Sequence, residues 1–399
     1  MMAMLGDYIT IKHGFAFRGE GITTEDNGVV LVTPGNFAIG GGFKEEKCKF
    51  FNADYSPDFV LSSDDLIVTM TDLSKEMDTL GYSALVPKSK RIYLHNQRIG
   101  LIRITRLDLD KHYLYWFMRT RNYQRTIAGG ASGTTVHHTS PDRIYKVEVD
   151  FPDLITQKKI AGLLDNLEKK IQTNMQINEN LLQQAEAIYK AWFCDHSLEK
   201  ESTYWPSTTI GDITSLVVRG ITPKYNDDTD QIVINQKCIR NHMIDLAPAR
   251  RHLPKAITEK WLTQGDLLIN STGEGTLGRV AQVWFVPNNL TVDSHITIVR
   301  PKSSVLYNYI GFWGLTHEME IEALHTGSTG QTELPRERVK AMELPLPDEI
   351  TLSKFNELIT PMTETIVENQ QENTRLAEIR DTLLPKLMSG ELDVSKLDL

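Results

Sequence analysis

The chain has 399 residues, of which 40% are hydrophobic and 24% are charged, and its formal net charge is −9. This composition is ordinary for a globular protein of two or three domains. Its 3 cysteines are far apart in the sequence, which excludes a disulfide framework and a CxxC metal site. This cysteine usage favours a reducing cytoplasm. No apolar run approaches the ~20 residues that cross a bilayer, so we also expect no membrane contact.

The acidic charge is unevenly distributed along the chain. Acidic residues outnumber basic ones mainly from residue 348 onward, whereas the segments 1–150 and 201–347 are close to neutral. A protein that neutralises many phosphates by itself is usually more basic. If this chain binds nucleic acid, the sequence predicts that partner subunits supply much of the positive charge.

The first globular segment, residues 1–152, combines short strands with a few helices. Its apolar runs predict strands near 29–37, 64–72 and 95–104. A helical stretch is predicted at 113–123, and a Gly/Ser/Thr loop follows at 129–136. Pro152 and Asp153 then stand just before a long helical pattern, as helix-start signals do.

A long helix is predicted within residues 153–200. From Ile160 to Trp192 its seam positions follow alternating steps of four and three residues. This spacing is what the seam of a coiled coil needs. At ~1.5 Å per residue the seam is about 48 Å long, and antiparallel pairing with a second helix would put one globular segment at each end of it.

The same order of elements then recurs. Counterparts of the Gly6-Asp7 start, the three strand runs, the helical stretch, the Gly/Ser/Thr loop and the Pro-Asp helix start lie at 211–212, 231–239, 265–273, 292–301, 307–323, 326–332 and 347–348. They form a second globular segment, 201–347. A second long helix is predicted in 348–399, and its seam from Phe355 to Leu387 repeats the first at an offset of 195 residues.

A pair of asparagines interrupts each seam at the same place. If the helices pack antiparallel with their centres aligned, Asn174 faces Asn373 and Asn178 faces Asn369. A buried amide is costly unless it finds a partner, and a polar seam residue fixes the register. The alternative is two separate amphipathic helices with asparagines on their surfaces.

These patterns together predict an α+β fold. Two tandem mixed α/β domains, 1–152 and 201–347, alternate with two long helices, in 153–200 and 348–399. The helices pair as an antiparallel coiled coil, which gives the chain an internal pseudo-twofold repeat.

Two apparent catalytic motifs carry little weight. Gly273 to Gly278 fits the dinucleotide pattern GxGxxG, but a strand-like run follows where a helix is required, so a glycine-rich hairpin is predicted. Ser132, His137 and Asp142 could be arranged as a triad, but nothing predicts the strand-to-helix turn that such chemistry prefers. The Walker A lysine, HExxH and CxxC patterns are absent from the sequence. We therefore expect no catalytic and no metal site.

Three segments resemble the specificity subunit of type I restriction–modification enzymes. Residues 151–171 resemble the start of that family's first conserved helix, residues 188–195 its end, and residues 376–392 the close of the second helix. The Gly/Ser/Thr loops and the strands at 64–72 and 265–273 fit its two target recognition domains. One departure is Arg380, which occupies a seam position opposite Leu167 and is expected to extend outward.

This resemblance implies a non-catalytic protein that recognises a split double-stranded DNA sequence, with one recognition domain for each half-site and the helical rod setting their separation. Its partners would be two methyltransferase subunits and motor-nuclease subunits, in a system of DNA adenine methylation and phage defence. The resemblance places S-adenosylmethionine, ATP and Mg²⁺ on those partner subunits, with no cofactor on this chain.

The candidate DNA-binding residues are polar or basic and lie on predicted loops. Arg and Lys suit guanine, and Asn and Gln suit adenine. For each of them the alternative is a solvated surface side chain, and the Gly/Ser/Thr loops could instead close a domain onto its helix. The candidates are Thr71, Lys75, Lys88, Lys90, Arg91, Ser132, Thr134 and Thr135 in the first domain, and Lys237, Arg240, Asn270, Thr272, Arg279, Ser328 and Gln331 in the second.

Two other functions stay open at the level of sequence. The same fold could serve as a standalone DNA-binding or anti-restriction protein, which would bind DNA without a methyltransferase. A structural adaptor without a restriction partner would explain the rod, but not two globular segments with diverged loops.

Overall fold

The computed structural model describes residues 3–46, 48–74, 76–133, 135–194, 205–255, 258–273, 275–327 and 332–394. It divides into two compact units. The first comprises Met1–Ile171 and Thr374–Leu399, and the second Gln172–Asn373. Both long helices are therefore shared, each divided close to its asparagines. The domain boundaries predicted from the repeat, at residues 152, 200 and 347, stay a prediction.

The first unit contains thirteen short strands and three short α-helices among its described residues, besides its shares of the two long helices. The strands are β1 (Ala3–Met4), β2 (Ile9–His13), β3 (Ile22–Thr23), β4 (Val29–Val32), β5 (Lys49–Phe51), β6 (Val60–Leu61), β7 (Leu66–Thr69), β8 (Thr71–Asp72), β9 (Ser83–Leu85), β10 (Ile92–His95), β11 (Ile99–Ile104), β12 (His137–His138) and β13 (Glu148–Val149). The helices are α1 (Lys111–Phe117), α2 (Arg121–Gly129) and α3 (Pro141–Tyr145).

The long helix α4 (Leu154–Phe193) leads into the second unit. Its elements are β14 (Ser207–Thr209), α5 (Ile210–Ile213), β15 (Thr214–Arg219), β16 (Ile232–Ile234), β17 (Ile239–Arg240), β18 (Met243–Ile244), β19 (Arg250–Arg251), β20 (Leu267–Asn270), β21 (Val280–Gln282), β22 (Leu290–Val292), β23 (Ile296–Pro301), α6 (Tyr307–Thr316), α7 (Glu318–Ala323), α8 (Arg336–Lys340) and β24 (Glu343–Pro345). The second long helix, α9 (Glu349–Met388), follows.

The two units share one strand topology. The first has an antiparallel sheet in the order β2-β11-β7-β9, and the second has β15-β23-β20-β21. A second sheet contains a parallel pair, β4 with β10 in the first unit and β16 with β22 in the second. The repeat predicted from the sequence is thus a repeat of structure.

A glycine marks the point where two strands of each unit come closest. Gly14 follows β2 beside the bridge of Phe15 with Asn96, and Gly220 follows β15 beside the bridge of Ile221 with Asp293. A Cβ atom on Gly14 would lie 2.3 Å from the carbonyl oxygen of Asn96, and one on Gly220 would lie 2.0 Å from that of Val292. Only glycine fits such a close backbone approach, so both copies keep it.

The start signals of the long helices act as predicted. The Asp153 carboxylate accepts hydrogen bonds from the backbone N–H of Ile155 (2.9 Å) and Thr156 (3.0 Å), and Asp348 accepts one from Thr351 (2.9 Å). These bonds satisfy N–H groups that have no partner within the helix. Hydrogen bonds from Thr156 lower the pKa of Asp153, and those from Thr351 lower the pKa of Asp348.

The helices α4 and α9 pack antiparallel, and the asparagines meet in the predicted pairs. Asn174 Nδ2 donates to Asn373 Oδ1 (2.9 Å) and to Glu372 Oε2 (2.7 Å). Asn369 Nδ2 donates to Asn178 Oδ1 (2.8 Å), and Asn178 Nδ2 donates to the Ile366 carbonyl oxygen (3.2 Å). Both α4 asparagines are buried. The polar groups of the seam thus largely satisfy one another.

The buried stripe of α4 departs from the predicted seam in the second unit. Ile188 and Trp192 are only half-buried, whereas their neighbours Tyr189 and Phe193 are 2% and 3% exposed. Both rings pack against Phe355 of α9 and against aromatic residues of α6. In this unit α4 is covered by α9 on one side and by α6 on another, so its buried stripe is wider than a two-helix seam.

Arg380 does not extend outward, as the sequence had suggested. Its side chain is 17% exposed, and its guanidinium donates to Glu168 Oε2 (2.7 Å) and Asp381 Oδ1 (2.8 Å). The Arg380 guanidinium stays within the seam because the carboxylates of Glu168 and Asp381 neutralise it there.

In the second unit a histidine on the β17–β18 hairpin joins α4 to α7. Asn241 and His242 form the turn with φ values of 50° and 61°, the left-handed conformation that tight hairpins require. His242 Nδ1 lies 3.0 Å from Glu186 Oε1 of α4, and Nε2 lies 3.3 Å from Glu318 Oε2 of α7. The hydrogen bonds to Glu186 and Glu318 raise the pKa of His242 to about 9.

This bridge predicts a pH-dependent contribution to stability. Because the folded-state pKa lies above the ordinary value of about 6.5, the contribution is complete below that value and is lost as the pH rises through about 9. Urea unfolding of the wild type and of His242→Gln should therefore differ most near pH 6 and least near pH 9.5. A difference that stays constant across this range would contradict the bridge.

Candidate nucleic-acid interface

The same three loops meet at one end of the antiparallel sheet in each unit. In the first unit Met70 N–H donates to the Arg98 carbonyl oxygen (3.0 Å), and the Met70 carbonyl oxygen accepts from Thr139 N–H (3.0 Å). These bonds join the loop after β7, the β10–β11 turn and the end of the Gly/Ser/Thr loop. The sheet thereby presents loops from distant parts of the sequence as one surface.

The second unit repeats this arrangement at equivalent positions. Ser271 N–H donates to the His295 carbonyl oxygen (2.7 Å), and the Ser271 carbonyl oxygen accepts from Leu334 N–H (2.8 Å). Ser271 follows β20, His295 lies in the β22–β23 turn, and Leu334 ends the Gly/Ser/Thr loop. We call each of these surfaces the loop cluster of its unit.

In the first loop cluster Thr71 is a structural residue. It is 3% exposed, and its Oγ1 lies 3.1 Å from His138 Nδ1. Ser132 is exposed and exchanges backbone hydrogen bonds with His138 (3.0 and 2.9 Å). Thr135 is also exposed. Ser132 and Thr135 are therefore the described candidates that this cluster presents to solvent.

An ionised aspartate shapes the loop beside them. Burial opposes ionisation of Asp72, but hydrogen bonds from the N–H of Ser74 (2.6 Å) and from the N–H and hydroxyl of Thr79 (2.6 and 2.7 Å) prevail and lower its pKa. The carboxylate thus stays charged and fixes Ser74 and Thr79. The Asp72 carboxylate is bound by Ser74 and Thr79. It therefore does not neutralise exposed cations such as Arg98.

Three of the predicted residues lie away from this cluster. Lys88 and Lys90 are exposed, but they precede β10, whereas the loop cluster lies beyond its other end. At ~3.3 Å per residue, the four residues of β10 separate the two ends by about 13 Å. Arg91 is bound by Asp26 (2.6 Å) and packs over the ring of Phe50. The structure therefore does not bring these three together with Ser132.

The second loop cluster has a continuous polar network. Gln236 Nε2 donates to Thr272 Oγ1 (3.2 Å), and Thr272 Oγ1 lies 2.7 Å from His295 Nδ1. Asn270 is fully buried, and its Nδ2 donates to the Gln236 carbonyl oxygen (3.3 Å). Asn270 thus supports the turn that carries Gln236, while Thr272 lies nearer the surface.

The glycine-rich run of the second unit is a hairpin. Strand β20 ends at Asn270 and β21 begins at Val280, so a strand follows Gly278 where a dinucleotide fold would have a helix. Arg279 donates to the Gly275 carbonyl oxygen (2.6 Å) and is half-buried. Lys237 and Arg240 are exposed. The predicted hairpin is present, and Arg279 closes it.

Four of the predicted residues lie outside the described residues. They are Lys75, Thr134, Ser328 and Gln331. The neighbouring parts of both Gly/Ser/Thr loops are described, and they belong to the loop clusters through Ser132 and Leu334.

The sequence analysis missed residues in the turns between strands. Gln97 and Arg98 are exposed in the β10–β11 turn, and His295 occupies the matching turn of the second unit. The run 95–104 looked like one strand, although its polar Asn-Gln-Arg stretch was a signal for a turn. Gln236, in the turn after β16, was overlooked for the same reason.

The positive charges of the first unit differ in availability. Arg103, Arg106 and Lys111 are paired with Asp65, Asp108 and Asp64. Arg98, Arg121 and Arg125 are exposed, and none of them has a carboxylate within ion-pair distance among the described residues. Of these three, only Arg98 belongs to the loop cluster.

Ser132, His137 and Asp142 do not form a triad. The Ser132 hydroxyl contacts the backbone oxygen of His138 at 3.5 Å, and His137 pairs through its backbone with Asp72. Within the described part of the chain, no group of three or more His, Cys, Asp or Glu side chains could hold a metal ion. In the same part, no helix has the length and apolar character that a membrane span requires.

The comparisons with known proteins agree on one family. Residues 1–183 match the model of the type I restriction modification DNA specificity domain. The type I restriction enzyme MjaIX specificity subunit of Methanocaldococcus jannaschii is 24% identical over 306 residues, which is 71% of this chain and 70% of that protein. The HindI specificity subunit of Haemophilus influenzae is 23% identical over 345 residues, or 68% of this chain and 75% of that protein.

A solved structure shares the fold. The crystal structure of the type I restriction–modification system S subunit from M. genitalium superposes with a TM-score of 0.62 at 16% identity, covering 97% of this chain and 95% of that one. The predicted fold class and the predicted resemblance are both confirmed. The similar proteins are specificity subunits.

Proposed function

Because residues 1–183 match the model of the type I restriction modification DNA specificity domain, we propose that this chain is the sequence-specific DNA recognition subunit of a type I restriction–modification system. It recognises a bipartite double-stranded target, and each loop cluster contacts one half-site. The observation that carries the proposal is the repetition of the loop cluster, at Met70 and at Ser271, with different side chains around each.

The chemistry of the two clusters suits two different sequences. The first presents Gln97 and Arg98 beside Ser132 and Thr135, and the second presents Gln236, Thr272 and His295. Arginine is the commonest partner of guanine, and glutamine suits adenine. Identical backbone frames with different exposed side chains are what two half-sites of unrelated sequence require.

The long helices support the second part of the proposal, the docking of methyltransferase subunits. Ile155 of α4 and Ile350 of α9 are 71% and 70% exposed, and Met175 and Leu358 are about half exposed. In this proposal these four side chains are covered when the methyltransferase subunits dock. In this proposal S-adenosylmethionine binds the methyltransferase subunits, whereas ATP and Mg²⁺ serve motor-nuclease subunits that join the same complex.

Methylome sequencing tests the proposal directly. A host that carries this chain with its methyltransferase should acquire adenine methylation at a bipartite motif. The chain should also co-purify with that methyltransferase in a fixed stoichiometry. DNA binding without a methyltransferase partner would instead favour a standalone DNA-binding protein, and a methyltransferase partner without sequence preference would favour an adaptor.

Substitutions in single clusters should act on single half-sites. Arg98→Ala should weaken binding to targets by about 5- to 150-fold, the range of one good base contact of ~1–3 kcal/mol, and relax the sequence only at the first half-site. Arg279→Ala should act only at the second. Competition binding with oligonucleotides mutated in one half-site measures both effects.

Arg125→Ala provides the matched control for this test. Arg125 is exposed on α2 of the first unit and lies outside the loop cluster, so its loss removes the same charge without removing a contact. Arg98→Ala and Arg125→Ala could instead reduce the affinity for DNA by the same factor, without a preference for either half-site. In that case the first loop cluster is not the recognition surface.

A further inference from the structure

A half-exposed phenylalanine borders the first loop cluster. Phe15 follows β2, and it is 48% exposed, although a phenylalanine is usually buried. Its N–H donates to the His95 carbonyl oxygen (2.8 Å), and its own carbonyl oxygen accepts from Gln97 N–H (2.9 Å). The β10–β11 turn is thus held by Met70 on one side and by Phe15 on the other. Phe15 therefore belongs to the surface that presents Gln97 and Arg98.

Other aromatic rings hold the Phe15 side chain in place. The centroid of the Phe59 ring lies 5.0 Å from that of Phe15 at a tilt of 38°, and the Phe17 ring lies 5.3 Å away, nearly perpendicular to it. Phe17 in turn packs against Phe51, which is 4% exposed, so this group of rings is anchored to the core. A ring that is fixed before binding loses little conformational entropy when a ligand covers it.

The equivalent position of the second unit carries a smaller and less exposed side chain. Ile221 follows β15 and bridges Asp293 there, as Phe15 follows β2 and bridges Asn96. Ile221 is half-buried and has no ring. The two clusters thus differ at this position within the same backbone frame. Such a difference is expected of a residue that recognises sequence, whereas a residue that supports the frame would be alike in both copies.

The chemistry of the DNA grooves limits what such a ring can contact. The base edges in the major groove present hydrogen-bond donors, acceptors and one kind of apolar group, the 5-methyl of thymine. Some DNA-binding proteins instead insert a phenylalanine between two base pairs, which requires both faces of the ring to be free. Two rings tilted by 38° at 5.0 Å cannot meet edge to edge, so Phe59 lies against one face of Phe15. The other face remains for a methyl group.

Resting on the proposed function, we propose that Phe15 is a specificity-determining residue that recognises a thymine of the first half-site through its 5-methyl group. The free face of the ring packs on the methyl, while Gln97 and Arg98 bind neighbouring base pairs. Cytosine carries only a hydrogen atom at the same ring position, so the contact favours a T·A pair over a C·G pair.

Deoxyuridine tests this contact, because it lacks the methyl of thymidine and keeps the hydrogen-bonding groups. The probes are duplexes that carry the bipartite motif, with each thymidine replaced in turn, and the full-length chain binds them together with its methyltransferase. One replacement in the first half-site should weaken binding about fourfold, which corresponds to the ~0.8 kcal/mol of one buried methyl group. Phe15→Ala should bind the thymidine and deoxyuridine duplexes of that position equally well.

Leu107→Ala is the matched control. Leu107 is an apolar residue that is 98% exposed, and it lies beyond the opposite end of β11 from the loop cluster. Its loss should leave the fourfold difference unchanged. Phe15→Leu keeps an apolar group against Phe59, so it should retain part of the difference with a melting temperature close to that of the wild type. This second variant keeps the test valid if Phe15→Ala is unstable.

Two results overturn the inference about Phe15. In one, the wild type binds every deoxyuridine duplex of the first half-site as tightly as the parent duplex. In the other, the fourfold difference persists in Phe15→Ala. The bipartite motif is still bound in both cases, so the proposed function stands. Absence of preferential binding to the motif would instead count against the proposed function, and with it against this inference.

Discussion

Asp266→Ala should destabilise the second unit by about 3–5 kcal/mol, the usual cost of removing one partner from a buried ion pair. The Asp266 side chain is fully buried, and Arg300 binds both of its oxygens at 2.8 Å. The same carboxylate accepts from the N–H and hydroxyl of Thr263 (2.8 and 3.1 Å). Its loss leaves a largely buried guanidinium without a counter-charge.

The first unit supplies the matched comparison for this prediction. Asp65 and Arg103 occupy the equivalent positions, but Arg103 is 58% exposed and makes a single contact of 2.6 Å. Its guanidinium stays solvated when Asp65 is removed, so Asp65→Ala should cost only about 1 kcal/mol. Chemical unfolding followed by circular dichroism measures both. Equal shifts of the two midpoints would show that burial does not control the difference.

Asn369→Leu should cost about 1–3 kcal/mol, because it leaves the buried Oδ1 of Asn178 without its donor. The double variant Asn178→Leu/Asn369→Leu should recover most of this loss, since replacing both partners leaves no polar atom to satisfy. A double-mutant cycle by urea unfolding measures the coupling. Additive losses would mean that the two amides act independently.

The recovered stability of this double variant should not restore function in full. A polar pair in the seam specifies register at some cost in stability, so a seam that keeps only the Asn174–Asn373 pair discriminates less against slipped pairings of α4 and α9. We expect the double variant to retain less of its methyltransferase on co-purification than the wild type does, at equal helix content. Full retention would show that the Asn178–Asn369 pair is dispensable for register.

The backbone plan of this protein was accessible from sequence, because its signals are local and periodic. The Pro-Asp signals mark the starts of α4 and α9, and the heptads with their asparagines gave the antiparallel pairing. Sequence reasoning failed where position depends on the sheet. Asn270 looked like a contact residue on a loop, but it is fully buried beneath the turn that carries Gln236.

The recognition surface was only partly predictable for the same reason. Lys88 and Lys90 have the right chemistry, yet they lie beyond the wrong end of β10. Arg98 and His295 were missed because each of the runs 95–104 and 292–301 was interpreted as one strand. Only the folded sheet shows that the turns within these runs meet two other loops. Arg380 was expected in solvent, but Glu168 and Asp381 bind it.

By itself the sequence determined the duplication, the order of elements, the pairing of the helices and the resemblance to a family, since all of these follow from spacing and from short segments of the chain. Only the tertiary structure decided which loops meet at Met70 and Ser271, and which carboxylates are buried. These properties depend on contacts between residues tens to hundreds of positions apart, and the burial that sets their energies exists only once the sheets and helices have packed.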